Sequence, residues 1–266
     1  NAWGTNANGI GFAIKPAISG YQIYYNDTFT NTSNQGSIPN TGVWHHGAMV
    51  RTGGTTKLYI DGAETISVSD SKNYASTHIM IGGFYNSSQV MDGKVSDVRY
   101  VVGTAVYTGD FTPPSGALTL TGGTYPSSTN VNTSFPAGHT YLLTNQTSSG
   151  TTIADNSDQN YTMVRGGSLT GSTTKPYSAT FTAPTTGLTA VTNTKLLALT
   201  EDEPINVTNG SYYFAATDRK ITSASSSDFT MGTSTDFTVE FWYKATTINS
   251  SGYWFDMGSN TFVIQY

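Results

Sequence analysis

Acidic side chains are sparse in this sequence, and one stretch places them close enough together for acid–base chemistry. The chain has four glutamates, and two of them stand in the run Glu201-Asp202-Glu203-Pro204. Carboxylates at alternate positions could act as nucleophile and proton donor in glycoside hydrolysis. The run lies outside any alternating apolar pattern, which favours a solvated loop. We therefore predict that the protein is not an enzyme.

The histidines are the second group that could do chemistry. They stand at His45, His46, His78 and His139, without the HxH or HxxxH spacing of zinc sites. His45 and His46 point to opposite faces if they lie on one strand. The chain has no cysteine, which excludes thiol chemistry and cysteine-bound metals. We predict no zinc site.

The composition indicates an all-β extracellular protein. Charged residues make up 11% of the chain and aromatic residues 12%, with 17 Tyr and 28 Gly. The net charge is −5 and the basic residues are scattered singly, so nucleic-acid binding is not expected. No apolar run reaches the length of a membrane-spanning helix.

Consecutive antiparallel strands are predicted between Trp44 and Arg99. In the first strand Trp44, His46, Ala48 and Val50 share one face at period two. The dipeptide Asp61-Gly62 then separates two more alternating runs, which is a strong signal for a β-hairpin because both residues tolerate positive φ. Two further strands are expected at 79–83 and 93–99.

The order of these motifs resembles the laminin-G-like branch of the concanavalin A-like lectin/glucanase superfamily. The similar stretches are Trp44-His45-His46, Lys57-Leu58-Tyr59-Ile60-Asp61-Gly62, Ile81-Gly82-Gly83 and Gly93-Lys94-Val95-Ser96-Asp97-Val98-Arg99. The resemblance implies a jelly-roll β-sandwich, as seen in relatives from phage tails and bacterial surface repeat proteins. Gly47 departs from the valine that is usual in this family.

The resemblance also implies a calcium site, because laminin-G-like domains often hold one ion with an aspartate and backbone carbonyls. Four aspartates lie near the turns of the motifs: Asp61, Asp92, Asp97 and Asp256. They do not form the run of alternating acids that a dedicated calcium loop shows. We therefore expect no cofactor, with calcium as the alternative and these four aspartates as its candidate ligands.

Carbohydrate binding would use aromatic rings that stack on sugars. Four rings fall on strand faces opposite the main apolar sets: Tyr24, Tyr59, Tyr85 and Trp242. The alternative is that each is a half-exposed sheet residue. Nine Asn-x-Ser/Thr sequons are candidates for glycosylation, at Asn26, Asn31, Asn86, Asn132, Asn145, Asn160, Asn206, Asn209 and Asn249.

Three segments follow from the composition. Residues 1–113 resemble the C-terminal part of a laminin-G-like sandwich and end at the paired prolines Pro113 and Pro114. Residues 114–210 are rich in Thr and Ser and carry an internal repeat, which predicts a smaller β connector module. Residues 211–266, with the alternating strand 236–244, resemble the N-terminal part of the same sandwich.

The two halves of the sandwich thus occur in reversed order. In one explanation the chain is a repeat of a longer fibre, and Tyr266 of one copy runs on into Asn1 of the next. In the other it is a circular permutant that closes on itself. Both ends fall in apolar, strand-like sequence, whereas termini usually lie in loops, so we expect the fibre.

The function that we expect is a structural and adhesive repeat unit of an extracellular fibre or phage tail appendage. Its partners would be copies of itself and cell-surface or matrix glycans, and its place would be outside the cell or on the virion. The alternative is a soluble, circularly permuted, lectin-like carbohydrate-binding module.

Overall fold

The computed structural model describes most of the predicted sandwich. It covers residues 9–15, 20–25, 28–30, 40–75, 78–83, 91–145, 152–167, 169–177, 211–214, 220–223, 230–231, 236–246, 252–256 and 261–265. Within these residues the regular secondary structure consists of β-strands and one short 3₁₀ helix at Ala137–His139, and the rest is turns and irregular loops. No helix in the described part of the chain is long and apolar enough to cross a membrane.

Eighteen strands are described, in chain order. They are β1 Gly9–Lys15, β2 Gly20–Tyr25, β3 Thr28–Thr30, β4 His45–Thr52, β5 Thr55–Ile60, β6 Ala63–Ser69, β7 Tyr74–Ala75, β8 Met80–Ile81, β9 Gly93–Val102, β10 Thr140–Thr144, β11 Met163–Gly166, β12 Thr170–Ser172, β13 Ser211–Phe214, β14 Lys220–Ser223, β15 Thr230–Met231, β16 Phe237–Ala245, β17 Gly252–Asp256 and β18 Thr261–Gln265.

These strands form two large sheets and a small one. Sheet A has the order β11-β14-β8-β17-β18-β1-β2-β3, and sheet B has the order β12-β13-β9-β16-β4-β5-β6, with β10 also paired to β9. Strands β15 and β7 pair separately. The pairings are antiparallel except that of β1 with β18, which is parallel. The predicted all-β sandwich is confirmed.

The two ends of the sequence share both large sheets. In sheet B, β16 lies between β9 and β4 and pairs with each of them along its length. In sheet A, β17 and β18 lie between β8 and β1. The described strands of the Thr- and Ser-rich segment also join these sheets: β10 and β12 extend sheet B, and β11 lies at the edge of sheet A.

Both faces of sheet B are buried. Its inner face packs on sheet A in one apolar cluster, to which Met49, Val239 and Phe241 contribute. Its outer face is covered by residues 103–136, the covering segment, which places Tyr107 and Phe111 over Ala48 and Tyr59. Because both faces are covered, nearly every residue of β4 and most residues of β16 are buried.

The predicted hairpin at Asp61-Gly62 is present and anchors the covering segment. Both turn residues have positive φ, 52° at Asp61 and 83° at Gly62. The Phe111 N–H donates to the Gly62 carbonyl at 3.0 Å. A Cβ on Gly62 would lie 1.9 Å from the Phe111 carbonyl oxygen, so the close approach requires glycine.

We expect Gly62→Ala to destabilise the protein more than Gly54→Ala. Gly54 also follows a positive-φ residue in a two-residue turn, with φ 75°, but a Cβ there meets nothing within 4 Å. Both substitutions lower the free energy of unfolding by about 1 kcal/mol, because alanine is strained in the left-handed backbone region that glycine adopts readily. Gly62→Ala also collides with Phe111, so its total loss should be about 2 to 4 kcal/mol. Equal losses in urea unfolding would contradict this docking.

Candidate functional site

A buried ion pair joins the two central strands of sheet B on its outer face. Glu240 of β16 is the direct cross-strand partner of Arg99 of β9. The Arg99 Nε–H donates to Glu240 Oε1 at 2.7 Å, and the Tyr107 hydroxyl donates to Oε2. His46 Nε2 lies 3.5 Å from the same Oε2. Both charged side chains are 0% exposed, so solvent and substrate have no access to this carboxylate.

The ion pair is held in its charged form. Burial alone would raise the pKa of Glu240, but Arg99, His46 and Tyr107 outweigh it and lower that pKa. Burial alone would likewise lower the pKa of Arg99, and the charge of Glu240 raises it instead. A carboxylate with a lowered pKa beside a permanent cation is a poor proton donor, so the arrangement is that of a structural pair.

Arg99 also fixes the covering segment. Its guanidinium donates to the carbonyls of Thr119, at 2.8 Å, and Gly122, and to the Tyr125 hydroxyl at 2.9 Å. The cation lies 5.1 Å from the centre of the Phe135 ring. One side chain thus pairs with Glu240 and donates to two carbonyls of the covering segment.

Asp97 is buried beside this pair, and its oxygens are already occupied by donors. Asn145 Nδ2 donates to Oδ1 at 2.7 Å, Ser96 Oγ donates to Oδ2 at 2.8 Å, and the Tyr177 hydroxyl also donates to Oδ2. Burial raises the pKa of Asp97, although these hydrogen bonds oppose the rise. The predicted calcium role does not fit Asp97, because N–H and O–H groups stand where a cation would bind.

Asp61 is likewise a structural acceptor. Its Oδ2 lies 2.7 Å from His45 Nδ1, and its Oδ1 accepts the His46 N–H at 2.8 Å. The carboxylate therefore ties the β5–β6 turn to the first residues of β4. Calcium does not fit this position either, since one oxygen holds a backbone amide and the other a histidine.

The other two calcium candidates are not joined into a site. Asp92 is half-buried just before β9, and Asp256 lies in β17, where the structure does not describe its side chain. Across the described residues no group of three His, Asp or Glu side chains could hold a metal ion. Among the described side chains the four candidate aspartates are thus not brought together, and calcium binding stays a prediction.

The predicted sugar-stacking rings divide into three cases. Tyr59 is 0% exposed and packs 5.5 Å from Phe111, so the structure corrects the prediction: a covered ring has no face for a sugar. Trp242 is half-buried against His46 and Tyr177. The Tyr24 side chain and the whole of Tyr85 lie outside the described residues.

Three of the nine sequons lie in the described part of the chain. Asn160 is exposed in a turn with φ 48°, which suits an attached glycan. Asn132 is exposed but donates its amide to the Ala105 carbonyl. Asn145 donates to Asp97 and, at 3.2 Å, to Leu118, so a glycan there would disturb both bonds. Asn26, Asn31, Asn86, Asn206, Asn209 and Asn249 lie outside the described residues.

A cavity of about 400 Å³ lies at the end of sheet B where β9 and β16 meet. We call it the lysine cavity. Two cations line it together with small polar residues, and the set is Lys94, Thr170, Gly171, Ser172, Lys244 and Thr246. Sequence reasoning missed this site because its two lysines are 150 positions apart and meet only through strand pairing. Period-two alternation along β9 and β16 places each lysine on the outer face, but it does not give the register in which the two strands pair.

We expect Glu240→Gln to destabilise the protein strongly, by about 3 to 5 kcal/mol, because it leaves the buried Arg99 charge uncompensated. Glu64→Gln is the matched control. Glu64 accepts from Lys57 Nζ at 2.7 Å on the surface, with 36% of its side chain exposed, so its loss should be about 1 kcal/mol or less. Similar losses for both variants in denaturant unfolding would contradict the structural role of the buried pair.

A pH dependence is expected from His45 and Asp61. Burial lowers the pKa of His45, but the hydrogen bond and charge of Asp61 outweigh it and raise the pKa above 6.5. The stability due to His45 is therefore complete below pH 6.5 and is lost as the pH rises through the raised value. Burial alone would raise the pKa of Asp61, but the hydrogen bonds with His45 and the His46 amide outweigh it and lower that pKa below 3.8. The stability that Asp61 contributes is therefore lost only as the pH falls through this lowered value.

Asp61→Asn keeps a residue that tolerates positive φ and keeps an acceptor for the His46 amide. We expect it to lower the pKa of His45 and to flatten the fall in melting temperature above pH 6.5. NMR titration of the imidazole and thermal melts at several pH values measure both effects. An unchanged His45 titration in this variant would show that the pair has no influence on the histidine.

Comparison with known families agrees with this architecture. A laminin-G-type model, described as the concanavalin A-like lectin/glucanases superfamily, matches residues 1–104. Searches of curated proteins and of solved structures gave no match. The matched stretch includes β1 to β9, which supply strands to both sheets. The match to residues 1–104 is to the superfamily that the sequence motifs resemble.

Proposed function

We propose that this chain is a non-catalytic structural and adhesive repeat unit of an extracellular fibre or phage tail appendage, exposed outside the cell or on the virion. One observation carries the proposal. The sandwich is built from the two ends of the sequence, with β16 inserted between β9 and β4 at the centre of sheet B. A domain of this construction can be completed by its own chain or by the next copy.

Exchange between copies keeps every contact that β16 makes. Val239 and Phe241 fill the core between the sheets, and Glu240 pairs with Arg99 on the other face. Swapping an identical element between copies preserves these contacts and links the copies physically, so assembly requires little additional free energy. In a fibre, the segment after residue 210 of one copy would complete the sandwich of its neighbour. The proposed junction, Tyr266 to Asn1, lies outside the described residues.

The absence of catalysis is part of the proposal. Glu240 is sealed against Arg99, and Glu64 is engaged at the surface by Lys57. Glu201 and Glu203 lie outside the described residues. The superfamily match favours a lectin-like binding role, with adhesion through surface glycans as the form that we propose for this chain.

The alternative is a soluble, circularly permuted, lectin-like carbohydrate-binding module. It is favoured by the pairing of β16 with β9 and β4 of the same chain. The two functions differ in which chain supplies β16 to each sandwich. They therefore predict different covalent products when β16 is linked to β9.

The test is a double cysteine variant, Lys94→Cys with Lys244→Cys, in a chain that has no other cysteine. The two positions are direct cross-strand partners, within reach of a disulfide or a short bismaleimide. The fibre predicts a ladder of covalent multimers on a non-reducing gel, together with filaments of constant repeat in electron microscopy.

The single variant Lys94→Cys is the control, because it can link chains only into pairs. The fibre would be contradicted if the double variant forms its crosslink within one chain and electron microscopy shows compact, monodisperse particles. That result would establish the closed module instead.

A further inference from the structure

Strand β16 presents two different faces to the rest of the sandwich. Its inward side chains alternate and pack in the core between the sheets, and they are Phe237, Val239, Phe241 and Tyr243. Alternation places the side chains between them on the outer face of sheet B. We call these residues the outer triplet: Thr238, Glu240 and Trp242. Cores accept exchange among apolar residues of similar volume, so the inner face alone does not distinguish β16 from other strands.

The first member of the outer triplet, Thr238, is bound by the covering segment. The Val106 N–H donates to Thr238 Oγ1 at 2.9 Å, and the Thr238 hydroxyl donates to the Thr104 carbonyl at 3.4 Å. Thr238 is fully buried. A strand with an apolar residue at this position would bury the Val106 N–H without its acceptor, which is unfavourable.

The second member, Glu240, meets a cation whose position does not depend on β16 alone. Arg99 belongs to β9, and its guanidinium also donates to the Thr119 and Gly122 carbonyls of the covering segment. These bonds keep the cation on the outer face beside the space between β9 and β4, which we call the acceptor groove. A strand with a central carboxylate neutralises Arg99, whereas a strand without one leaves the buried cation uncompensated.

The third member, Trp242, packs edge-on against two rings that belong to other elements. Its ring centre lies 5.1 Å from that of His46 on β4 and 6.4 Å from that of Tyr177. Tyr177 is buried, and its hydroxyl donates to Asp97 of β9. Both rings are therefore held by groups outside β16, and a smaller side chain in place of the tryptophan would leave a gap beside them.

The contents of the chain indicate which segment fits the acceptor groove. The sequence has four glutamates, and of the strands that the structure describes β6 and β16 carry one each. Glu64 of β6 is exposed just after the turn, whereas Glu240 is buried in the middle of its strand. Among the described strands, β16 therefore matches the charge of Arg99 at the centre of the groove.

We propose that the outer triplet selects the segment that completes each sandwich: the acceptor groove takes β16 of a second copy of this chain and discriminates against strands that lack the central glutamate. The identity of the partner rests on the fibre proposed above, whereas the discrimination rests on the contacts of β16 themselves. In a mixture of chains, copies join where the charges at positions 99 and 240 match.

The test mixes two full-length variants that are each mismatched alone. Arg99→Gln leaves Glu240 without its cation, and Glu240→Gln leaves Arg99 without its anion. When the Arg99→Gln chain supplies its strand to the Glu240→Gln chain, the junction contains the original ion pair. The opposite junction joins two neutral glutamines. Mixed junctions therefore bury no uncompensated charge, and junctions between identical variants do.

Cross-linking shows which chain supplies the strand. The Glu240→Gln chain also carries Lys94→Cys, and the Arg99→Gln chain also carries Lys244→Cys, at cross-strand positions. The chains are unfolded together in urea, refolded and linked with a short bismaleimide. Chains that carry the cysteines alone give the yield for an equal choice. We expect the mismatched variants to favour mixed junctions about tenfold or more, because breaking a buried ion pair is strongly unfavourable.

The surface pair Lys57–Glu64 supplies the matched control. Both residues lie in one hairpin, where Lys57 Nζ donates to Glu64 Oε2 at 2.7 Å, so a β16 from another copy does not alter their contact. Lys57→Gln and Glu64→Gln, distributed over two chains in the same way, should give no preference for mixed junctions.

A second measurement applies even if the mismatched chains fail to refold. Arg99→Gln and Glu240→Gln combined in one chain should give a higher melting temperature than Glu240→Gln alone, because no buried charge remains uncompensated. A double variant that melts no higher than that single variant would overturn the selection by charge, whichever copy supplies the strand.

The outcomes separate this inference from the fibre. Cross-links that show no preference for mixed junctions would overturn the selection and leave the fibre standing. If chains with the cysteines alone form no cross-links between copies, the fibre and the second copy as partner are both contradicted. Recovery in the double variant would then support the same selection for the chain's own strand.

Discussion

The fold depends on a charge pair buried between strands that are far apart in the sequence. Arg99 and Glu240 are 141 positions apart, and each is fully removed from water. Neither charge could be buried alone, since an unpaired ion in the protein interior is strongly unfavourable. The pair is therefore satisfied only when β16 lies beside β9 in one register, which gives the contact specificity that apolar packing alone lacks.

The same pair explains why sheet B is closed on its outer face. The remaining donors of Arg99 go to carbonyls and a hydroxyl of the covering segment, and Tyr107 from that segment completes Glu240. The cover in turn rests on Gly62 through Phe111. A cavity lined by Lys94 and Lys244 lies at one end of the same sheet. The buried ion pair and this cavity thus occupy separate parts of the outer face.

Local patterns in the sequence predicted the strands, the Asp61-Gly62 hairpin and the superfamily, because period-two alternation and turn chemistry are short-range properties. Partnerships across long sequence separations could not be predicted. The Arg99–Glu240 and Lys94–Lys244 pairs depend on the register of β16. Tyr59 is buried by the covering segment, and the sequence did not predict where that segment packs. From the sequence alone Asp61 and Asp97 are candidate metal ligands. In the structure their carboxylates accept hydrogen bonds from N–H groups of His46 and Asn145.

In the sandwich β16 is an inner strand rather than a free C-terminal extension. This placement can be measured by hydrogen–deuterium exchange on peptides that cover residues 237–245, whichever copy supplies the strand. We expect these amides to be protected as strongly as those of β4 and β9, because β16 pairs with both neighbours. Exchange of this peptide at the rate of an unstructured chain, while β4 and β9 remain protected, would show that β16 is not an inner strand.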